Sequence, residues 1–197
     1  MIITYSDAVA ISMNTLESII IGLTLSSACG FRIFVPPLVI SLAVIFGHLP
    51  ITSGFEWVGT YPALWAFALA TVVEIGAYYV PVLDNLLDTL ATPTALAVGT
   101  FVAAALFPDS DPLLQWTMAA IAGGGTAGIL QAVTGITRLS STALTIGLGN
   151  AVVATVESIG AITLSVLALI APVVAIVLVA TLLVVTLTRV FSKQSYK

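Results

Sequence analysis

Long apolar runs alternate with short polar breaks along this sequence. The first run covers about residues 8–30, and a second, at 31–48, follows it without a polar loop. Further runs lie at 63–80, 94–107, 113–138, 151–170 and 173–190. Most of them approach the ~20 residues that an α-helix needs to cross a bilayer. Because the strict alternation typical of strands is missing, the pattern predicts an all-α, polytopic membrane protein with about six transmembrane helices.

Two segments interrupt helix formation inside apolar sequence. The first, SSACGFRIFVPP at 26–37, ends in two prolines, which remove backbone donors and disfavour helix before them. The second, LSSTALTIGLGN, is rich in hydroxyl groups and glycine and is too short to span a bilayer alone. Each contains or follows an arginine, Arg32 or Arg138, and arginine within a bilayer needs a partner or water. We therefore expect 31–48 and 139–149 to be half-helices or re-entrant segments.

A weak internal repeat relates the two halves of the chain. An offset of 106 joins Arg32 to Arg138 and continues along one helical face of small or polar residues. The motif VVEIGA at 72–77 also resembles VESIGA at 156–161, at a shorter offset of 84 (Gly160 minus Gly76). Small residues on such a face allow close helix contact, and four glycines are assigned to helix packing: Gly22, Gly124, Gly128 and Gly135.

This repeat predicts the organisation of the chain. We expect a first transmembrane repeat at 1–107, a linker turn at 108–112 with the sequence PDSDP, and a second repeat at 113–197 that ends in a basic tail. Three crossings in each half would give the halves opposite orientations in the membrane. Two inverted three-helix repeats with broken or re-entrant segments are the plan of many secondary transporters.

Composition agrees with a membrane location and argues against a soluble domain, a nucleic-acid-binding protein and a disulfide-linked fold. Of the 197 residues, 59% are hydrophobic and 7% are charged, against about 25% charged in soluble domains. The net charge of −4 comes without a basic patch, so nucleic acid is not an expected partner. The single Cys29 excludes an intramolecular disulfide and a multi-cysteine metal site. The tail carries Arg189, Lys193 and Lys197, which predicts a cytoplasmic C-terminus by the positive-inside rule.

Four ionisable residues inside the apolar runs are the main candidates for an ion or solute pathway. Glu74 and Glu157 could carry a proton or ligate a cation, because either event removes the cost of a buried charge. Arg32 and Arg138 could bind an anion or neutralise buried carboxylates. The alternative for all four is a set of structural ion pairs that holds the helices together.

Several polar residues near these four are weaker candidates. Ser141 and Thr142 could offer hydroxyl oxygens to a small ion where the helix breaks, together with their neighbours Ser140 and Thr145, although hydroxyl groups also serve helix packing. Asn150 lies on the same helical face as Glu157 and joins the pathway set. Glu17 and Gln131 are accessory candidates.

Two aspartates and a histidine outside those runs have simpler interpretations. Asp84 and Asp88 stand one turn apart on the polar face of an amphipathic segment, which predicts a solvated connector at the interface. They could also bind Mg²⁺ in an enzyme acting on lipid diphosphates, but a second acidic motif is missing. His48 has no His or Cys companion in an apolar context and is interpreted as an interfacial residue.

The polar motifs resemble those of a known family. SSACGFRIFVPPL, EIGAYYVPVLDNLLDTL, the triple glycine at 123–125 and RLSSTALTIGLGN together resemble the bacterial inner-membrane proteins grouped as domain of unknown function 4126. The chain departs from that pattern at Tyr78-Tyr79, where members often carry charged residues, and around Gln131, where a His and a Lys are common. The resemblance implies a bacterial inner-membrane location and brings no established activity.

Together, these features predict a small transporter or channel for an ion or small polar solute, coupled to a proton or cation. A lipid flippase or scramblase and a non-transporting scaffold remain the alternatives. An enzyme is not expected, because the sequence shows no nucleophile–base pair and no metal cluster. Membrane lipids and a small ion or solute are the expected partners, a homo-oligomer is left open, and neither a cofactor nor a metal is expected.

Overall fold

The computed structural model describes residues 5–194, with side chains for 15–80, 83–84, 86–186 and 188. Every regular element in this range is helical, which confirms the all-α prediction. The α-helices are α1 Tyr5–Ala28, α2 Val35–Ile45, α3 Tyr61–Ala77, α4 Pro81–Leu106, α5 Pro112–Met118, α6 Gly125–Thr145, α7 Asn150–Ile170 and α8 Pro172–Gln194. A 3₁₀ turn at Glu56–Gly59 precedes α3, and a π-helical turn at Ala119–Gly124 joins α5 to α6.

Among the described residues, three helical segments are long and apolar enough to cross a membrane. They are Leu86–Leu106, the continuous rod Pro112–Thr145 formed by α5, the π-helical turn and α6, and Asn150–Ile170. Shorter apolar helices, including Val35–Ile45 and Tyr61–Ala77, pack beside them. The protein is therefore a helical membrane protein.

One end of the bundle, which we call the first face, carries the longer connections. The loop after α2 joins the end of α4 there, since Thr52 N donates to Ala105 O at 2.9 Å. Ser53 Oγ and Asp109 Oδ2 are 3.0 Å apart, which ties this loop to the 107–111 connection. The α7–α8 junction lies at the same end, because Pro172 lines a cavity together with Ile20 of α1.

The opposite end, the second face, carries the short connections 78–80 and 146–149. The break at 29–34 also lies towards this face. Arg32 in the break bonds to α7, and Asp84 at the start of α4 bonds to Asn150 at the start of α7. Successive helical segments therefore alternate in direction between the two faces, and the direction of α8 places its C-terminal end at the second face.

The half-helix predicted at 31–48 is confirmed, whereas 139–149 does not form a separate half-helix. Helix α1 ends at Ala28 and α2 begins at Val35 with two prolines in its first turn. With 11 residues, α2 is about 16 Å long and is a half-helix. The second segment continues α6 as far as Thr145, because its hydroxyls bond within the helix and no proline interrupts it. Its break falls at Ile146, which has a left-handed φ of 55°.

The predicted repeat pairs α1 with the α5–α6 rod, α3 with α7 and α4 with α8. These pairs do not all run in opposite directions. Helices α3 and α7 are antiparallel, and so are α4 and α8. Helix α1 runs parallel to the α5–α6 rod, since Ile19 lines a cavity with Gln115 and Gly30 packs against Ala127. The half-helix α2 explains the difference, because it adds a fourth membrane segment to the first half only. The boundaries of the two repeats stay a prediction.

Glycine and alanine let α4 cross the π-helical turn closely. A Cβ on Gly123 would overlap that of Ala103, and Ser26 Oγ donates to Gly99 O at 2.8 Å beside the crossing. Of the glycines assigned to packing, Gly22 lies against Phe107, while Gly124 and Gly128 lie against α4. The assignment is wrong for Gly135, because a Cβ there would meet no atom within 4 Å.

Candidate functional site

Arg32 and Arg138 meet inside the bundle around one carboxylate. Their side chains are 0% and 2% exposed, and they are the largest fully buried side chains among the described residues. Glu157 of α7 pairs with both of them: Arg138 Nε donates to its Oε1 at 3.2 Å, and Arg138 Nη2 bonds to its Oε2. Arg32 Nη1 lies 3.5 Å from the same Oε2. Glu157 therefore bridges the two arginines.

One face of α7 fixes the orientation of Arg32. Arg32 Nε donates to Ser158 Oγ at 2.9 Å, and Nη2 donates to Ala154 O at 2.7 Å. Ala154, Glu157 and Ser158 are spaced by three and four positions, so they share one helical face. The break at 29–34 turns the chain so that Arg32 reaches this face.

Arg138 also binds two aspartates of α4. Its Nη1 donates to Asp84 Oδ1 at 3.1 Å and to Asp88 Oδ1 at 3.0 Å. Asp84 is 3% exposed, so the predicted solvated connector face is wrong for this residue. The planar guanidinium group, with five donors in a fixed fork, can hold carboxylates from two helices at once, which offsets the cost of burying them.

The ring of Tyr78 packs against the guanidinium groups of both arginines. Its ring centroid lies 4.2 Å from Arg32 Cζ and 3.7 Å from Arg138 Cζ, within range for cation–π attraction. Tyr78 is buried and directly follows α3, the helix that carries Glu74. The sequence analysis did not assign it a role, although a tyrosine next to an intramembrane glutamate was the available signal.

Glu74 lies at the start of the half-helix α2. Its Oε1 accepts a hydrogen bond from Ile33 N at 2.7 Å, and its Oε2 accepts one from Phe34 N at 3.0 Å. A carboxylate is favourable there because the first N–H groups of a helix lack partners and the helix dipole attracts negative charge. Among the described residues, Glu74 forms no ion pair within 4.0 Å, unlike Glu157.

Asn150 joins this cluster through Asp84. Its Nδ2 donates to Asp84 Oδ2 at 2.8 Å and to Thr142 Oγ1 at 2.9 Å. Ser141 is half-buried on the preceding turn of α6 and faces the Gly149 turn. Thr145 donates to Ser141 O and accepts from Gly149 N, and Ser140 donates to Ile136 O, so these hydroxyls support the local backbone.

Two accessory candidates lie outside this set of contacts. Glu17 is exposed and lines a cavity with Pro172 near the first face. Gln131 is buried and lines a different cavity with Asp88. The structure thus brings together Arg32, Arg138, Glu157, Asn150 and Thr142, with Glu74 beside them, and leaves Glu17 apart.

Two arginines and four carboxylates share this charge cluster, which we define as Arg32, Glu74, Asp84, Asp88, Arg138 and Glu157. With every group ionised, its formal charge is −2, from two positive and four negative side chains. From Tyr61 at the first face to Glu74 is 13 residues of α3, or about 20 Å along the helix axis. The cluster therefore lies inside the bundle, nearer to the second face.

One family matches this chain, over residues 19–192, and it is described as Domain of unknown function (DUF4126). The protein belongs to the DUF4126 family. The match includes every member of the charge cluster. No curated protein and no solved structure matches the chain. The resemblance that the polar motifs indicated is confirmed, and the family description assigns no activity.

Two cavities of this DUF4126 protein reach the charge cluster from opposite sides of α4. A cavity of about 290 Å³ between α3 and α4 is lined by Glu74 and Tyr78 and is otherwise mainly apolar. A second cavity, of about 380 Å³, lies between α4 and α6 and is lined by Asp88 and Gln131. Both are larger than a water molecule needs, so small polar species have room next to the carboxylates.

The described residues contain no group of three or more His, Cys, Asp or Glu side chains arranged to hold a metal ion. The oxygen atoms that could receive a positively charged species are instead a mixture of carboxylate, amide and hydroxyl groups. Such oxygens suit protons and hard cations better than soft transition metals.

Proposed function

We propose that this protein moves a proton or a small cation across the membrane, as a transporter or a channel, with its binding site in the charge cluster. One observation carries the proposal: four carboxylates lie around two buried arginines inside the helical bundle. An unpaired buried charge is costly, so a cluster with a formal charge of −2 attracts positive charge. A proton or cation would neutralise it.

The position of Glu74 supports a link between ion binding and movement. As a carboxylate, Glu74 accepts from the backbone at both oxygens and holds the start of α2. Protonation would place a hydrogen on one oxygen, which would then accept the bond from the backbone N–H more weakly. The two ionisation states of Glu74 would therefore favour different positions of the half-helix, as a transport cycle requires.

Proton flux into liposomes tests this function. The purified protein is reconstituted with a pH-sensitive dye inside, and a potassium gradient with valinomycin sets the membrane potential. We expect Glu74→Gln and Glu157→Gln to lower the flux about tenfold or more, the effect of losing one charge-assisted contact. Glu17→Gln is the matched control, because Glu17 is exposed and outside the cluster.

A second assay covers small cations. If proton flux equals that of protein-free liposomes, sodium or rubidium uptake is measured in liposomes without valinomycin, because valinomycin itself carries rubidium. Wild-type flux in both Glu74→Gln and Glu157→Gln would remove the carboxylates from the mechanism. No flux of any of these ions would contradict transport altogether.

A non-transporting scaffold is the second candidate. The ion pairs of Arg138 favour it, because this side chain binds Glu157, Asp84 and Asp88 together and thereby joins α4, α6 and α7. A scaffold predicts that neutralising these residues changes stability while ion flux stays at the protein-free level. A fluorescent-lipid assay in the same liposomes tests the lipid flippase or scramblase alternative.

A further inference from the structure

We propose that Asp84, Thr142 and Asn150 form a binding site for an alkali cation. The three side chains come from α4, α6 and α7 and meet next to the 146–149 turn at the second face. This inference deepens the proposed function, on which it rests, by naming the class of ligand and the atoms that receive it. Sequence analysis placed Thr142 and Asn150 in a pathway but left their partner open.

An oxygen atom without a partner points to a ligand. Asn150 is 7% exposed, and its Nδ2 donates to Asp84 Oδ2 and to Thr142 Oγ1. Its Oδ1 is buried and accepts no hydrogen bond from the residues that the structure describes. A buried acceptor without a partner costs about 1–3 kcal/mol, and a positively charged ligand bound to Oδ1 would remove that cost.

The types of oxygen decide the class of ligand. A carboxylate, an amide oxygen and a hydroxyl are all hard oxygen donors, which suit hard cations. A single carboxylate among the three matches a monovalent ion, and the described residues hold no group of three acidic or His/Cys ligands for a divalent one. An anion is disfavoured by the formal charge of −2 on the surrounding cluster.

An ion could take the place that the Nδ2 group of Asn150 occupies next to Asp84 and Thr142. Its Nδ2 now lies 2.8 Å from Asp84 Oδ2 and 2.9 Å from Thr142 Oγ1, where it supplies the positive end of the amide dipole. The last torsion of asparagine is broad and nearly two-fold, so the amide can turn over. Rotation of the amide would direct Oδ1 towards Asp84 Oδ2 and Thr142 Oγ1. A cation between the three oxygens would offset their mutual repulsion.

The charges around this site allow a cation to bind beside an arginine. Arg138 Nη1 holds Asp84 through Oδ1, so Oδ2 is the atom that faces Asn150. Asp88 and Glu157 also bind Arg138 and compensate its positive charge. The cation would therefore meet a carboxylate whose arginine is already shared with two other acids.

Equilibrium binding of radioactive sodium and rubidium to the purified protein in detergent tests the site. We expect saturable binding that excess NaCl or KCl displaces and N-methylglucamine chloride does not. Thr142→Val and Asn150→Leu should weaken the affinity at least tenfold. Thr137→Val is the matched control on the same helix, because its hydroxyl bonds only to Val133 O. Asn150→Asp keeps Oδ1, replaces the amide nitrogen with a second oxygen, adds a negative charge and should bind at least as tightly as wild type.

The outcomes separate the site from the proposed function. Melting temperatures of all variants show which ones fold, and Thr142→Val decides if Asn150→Leu does not fold. Absence of saturable binding to wild type, or wild-type affinity in folded Thr142→Val and Asn150→Leu, would overturn the site. Cation flux with no binding of this kind would overturn the site and keep the transport function. Binding without any ion flux would keep the site and contradict transport.

Discussion

Each buried charged side chain in this protein is held by partners that are distant in sequence. Glu157 pairs with Arg138, 19 positions earlier, and with Arg32. Asp84 pairs with Arg138 across 54 positions. Glu74 binds the backbone at Ile33 across 41 positions. Because a buried charge is stable only with a partner, these contacts connect the breaks and helices of both halves.

Glu157 is expected to contribute strongly to stability. Glu157→Gln removes the negative charge that both arginines share and leaves Arg32 without an ion-pair partner among the described residues. Breaking a buried pair by removing one partner typically costs about 3–5 kcal/mol. We therefore expect a loss of about 3 kcal/mol in free energy of unfolding, measured by SDS titration in mixed micelles.

Glu17→Gln serves as the control for this prediction, because Glu17 is exposed and outside the cluster. Its unfolding midpoint should match that of wild type. If Glu157→Gln unfolded at the wild-type midpoint as well, the ion pairs would contribute little, and the cluster would not hold the helices together.

Two members of the charge cluster were not assigned to it from the sequence. Asp84 and Asp88 lie in a segment whose leucines occupy one side and whose polar residues occupy the other, which is typical of a surface helix. The polar side turns inward here because Arg138 provides a partner for both aspartates. A local amphipathic pattern does not show whether the polar side of a helix faces water or a buried arginine.

At the scale of the helix, proline and hydroxyl residues have different effects. Pro36 and Pro37 were sufficient to predict the start of α2, since proline fixes φ and removes a donor. The hydroxyl-rich segment after Arg138 stayed helical, because each hydroxyl can bond to a carbonyl one turn earlier in the same helix. Only Ile146 and Gly147, with positive φ, end that helix.

The triple glycine offers a matched pair for testing helix packing. A Cβ on Gly123 would overlap Ala103 and come within 2.8 Å of Gly99 O, whereas one on Gly125 would meet no atom within 4 Å. We expect Gly123→Ala to destabilise the protein by about 1–3 kcal/mol through overpacking. Gly125→Ala should be neutral or should stabilise it by up to about 1 kcal/mol, since alanine favours helix.

Unfolding midpoints of the two glycine variants in the same detergent check this prediction. Equal midpoints would show that α4 and the π-helical turn can move apart without cost, which would contradict the close crossing.

For the whole molecule, the two faces differ in charge. The connections 46–60 and 107–111 at the first face contain no Lys or Arg. The backbone N–H groups of Glu56 and Gly54 lower the pKa of the Glu56 carboxyl, so it stays ionised at neutral pH. The tail residues Arg189, Lys193 and Lys197 have side chains outside the described set, but α8 ends at the opposite face. The positive-inside rule then predicts a cytoplasmic second face.

Cysteine labelling in cells tests this orientation. Cys29, the single cysteine, is fully buried and can be replaced by alanine to provide a background without thiols. We expect Ser110→Cys at the first face to react with a membrane-impermeant maleimide in intact cells. Leu148→Cys, in the exposed turn at the second face, should react only after the cells are opened. The reverse pattern would contradict the orientation, and reaction of both in intact cells would contradict the two faces.

The sequence alone determined the class, the helices and the first break of this protein, because these depend on local properties. Apolar runs of nearly bilayer length, few charges and paired prolines act within one or two turns of the chain. The same local view identified Arg32, Arg138, Glu74, Glu157 and Asn150 as unusual residues for a membrane interior.

Only the tertiary structure decided which charges meet. It joined Glu157 to both arginines, brought Asp84 inside and placed Tyr78 against the guanidinium groups. It also showed that α1 and the α5–α6 rod run parallel. These features depend on how many times the chain crosses between the two faces and on which helices become neighbours. Such information is distributed over the whole chain, and no single segment contains it.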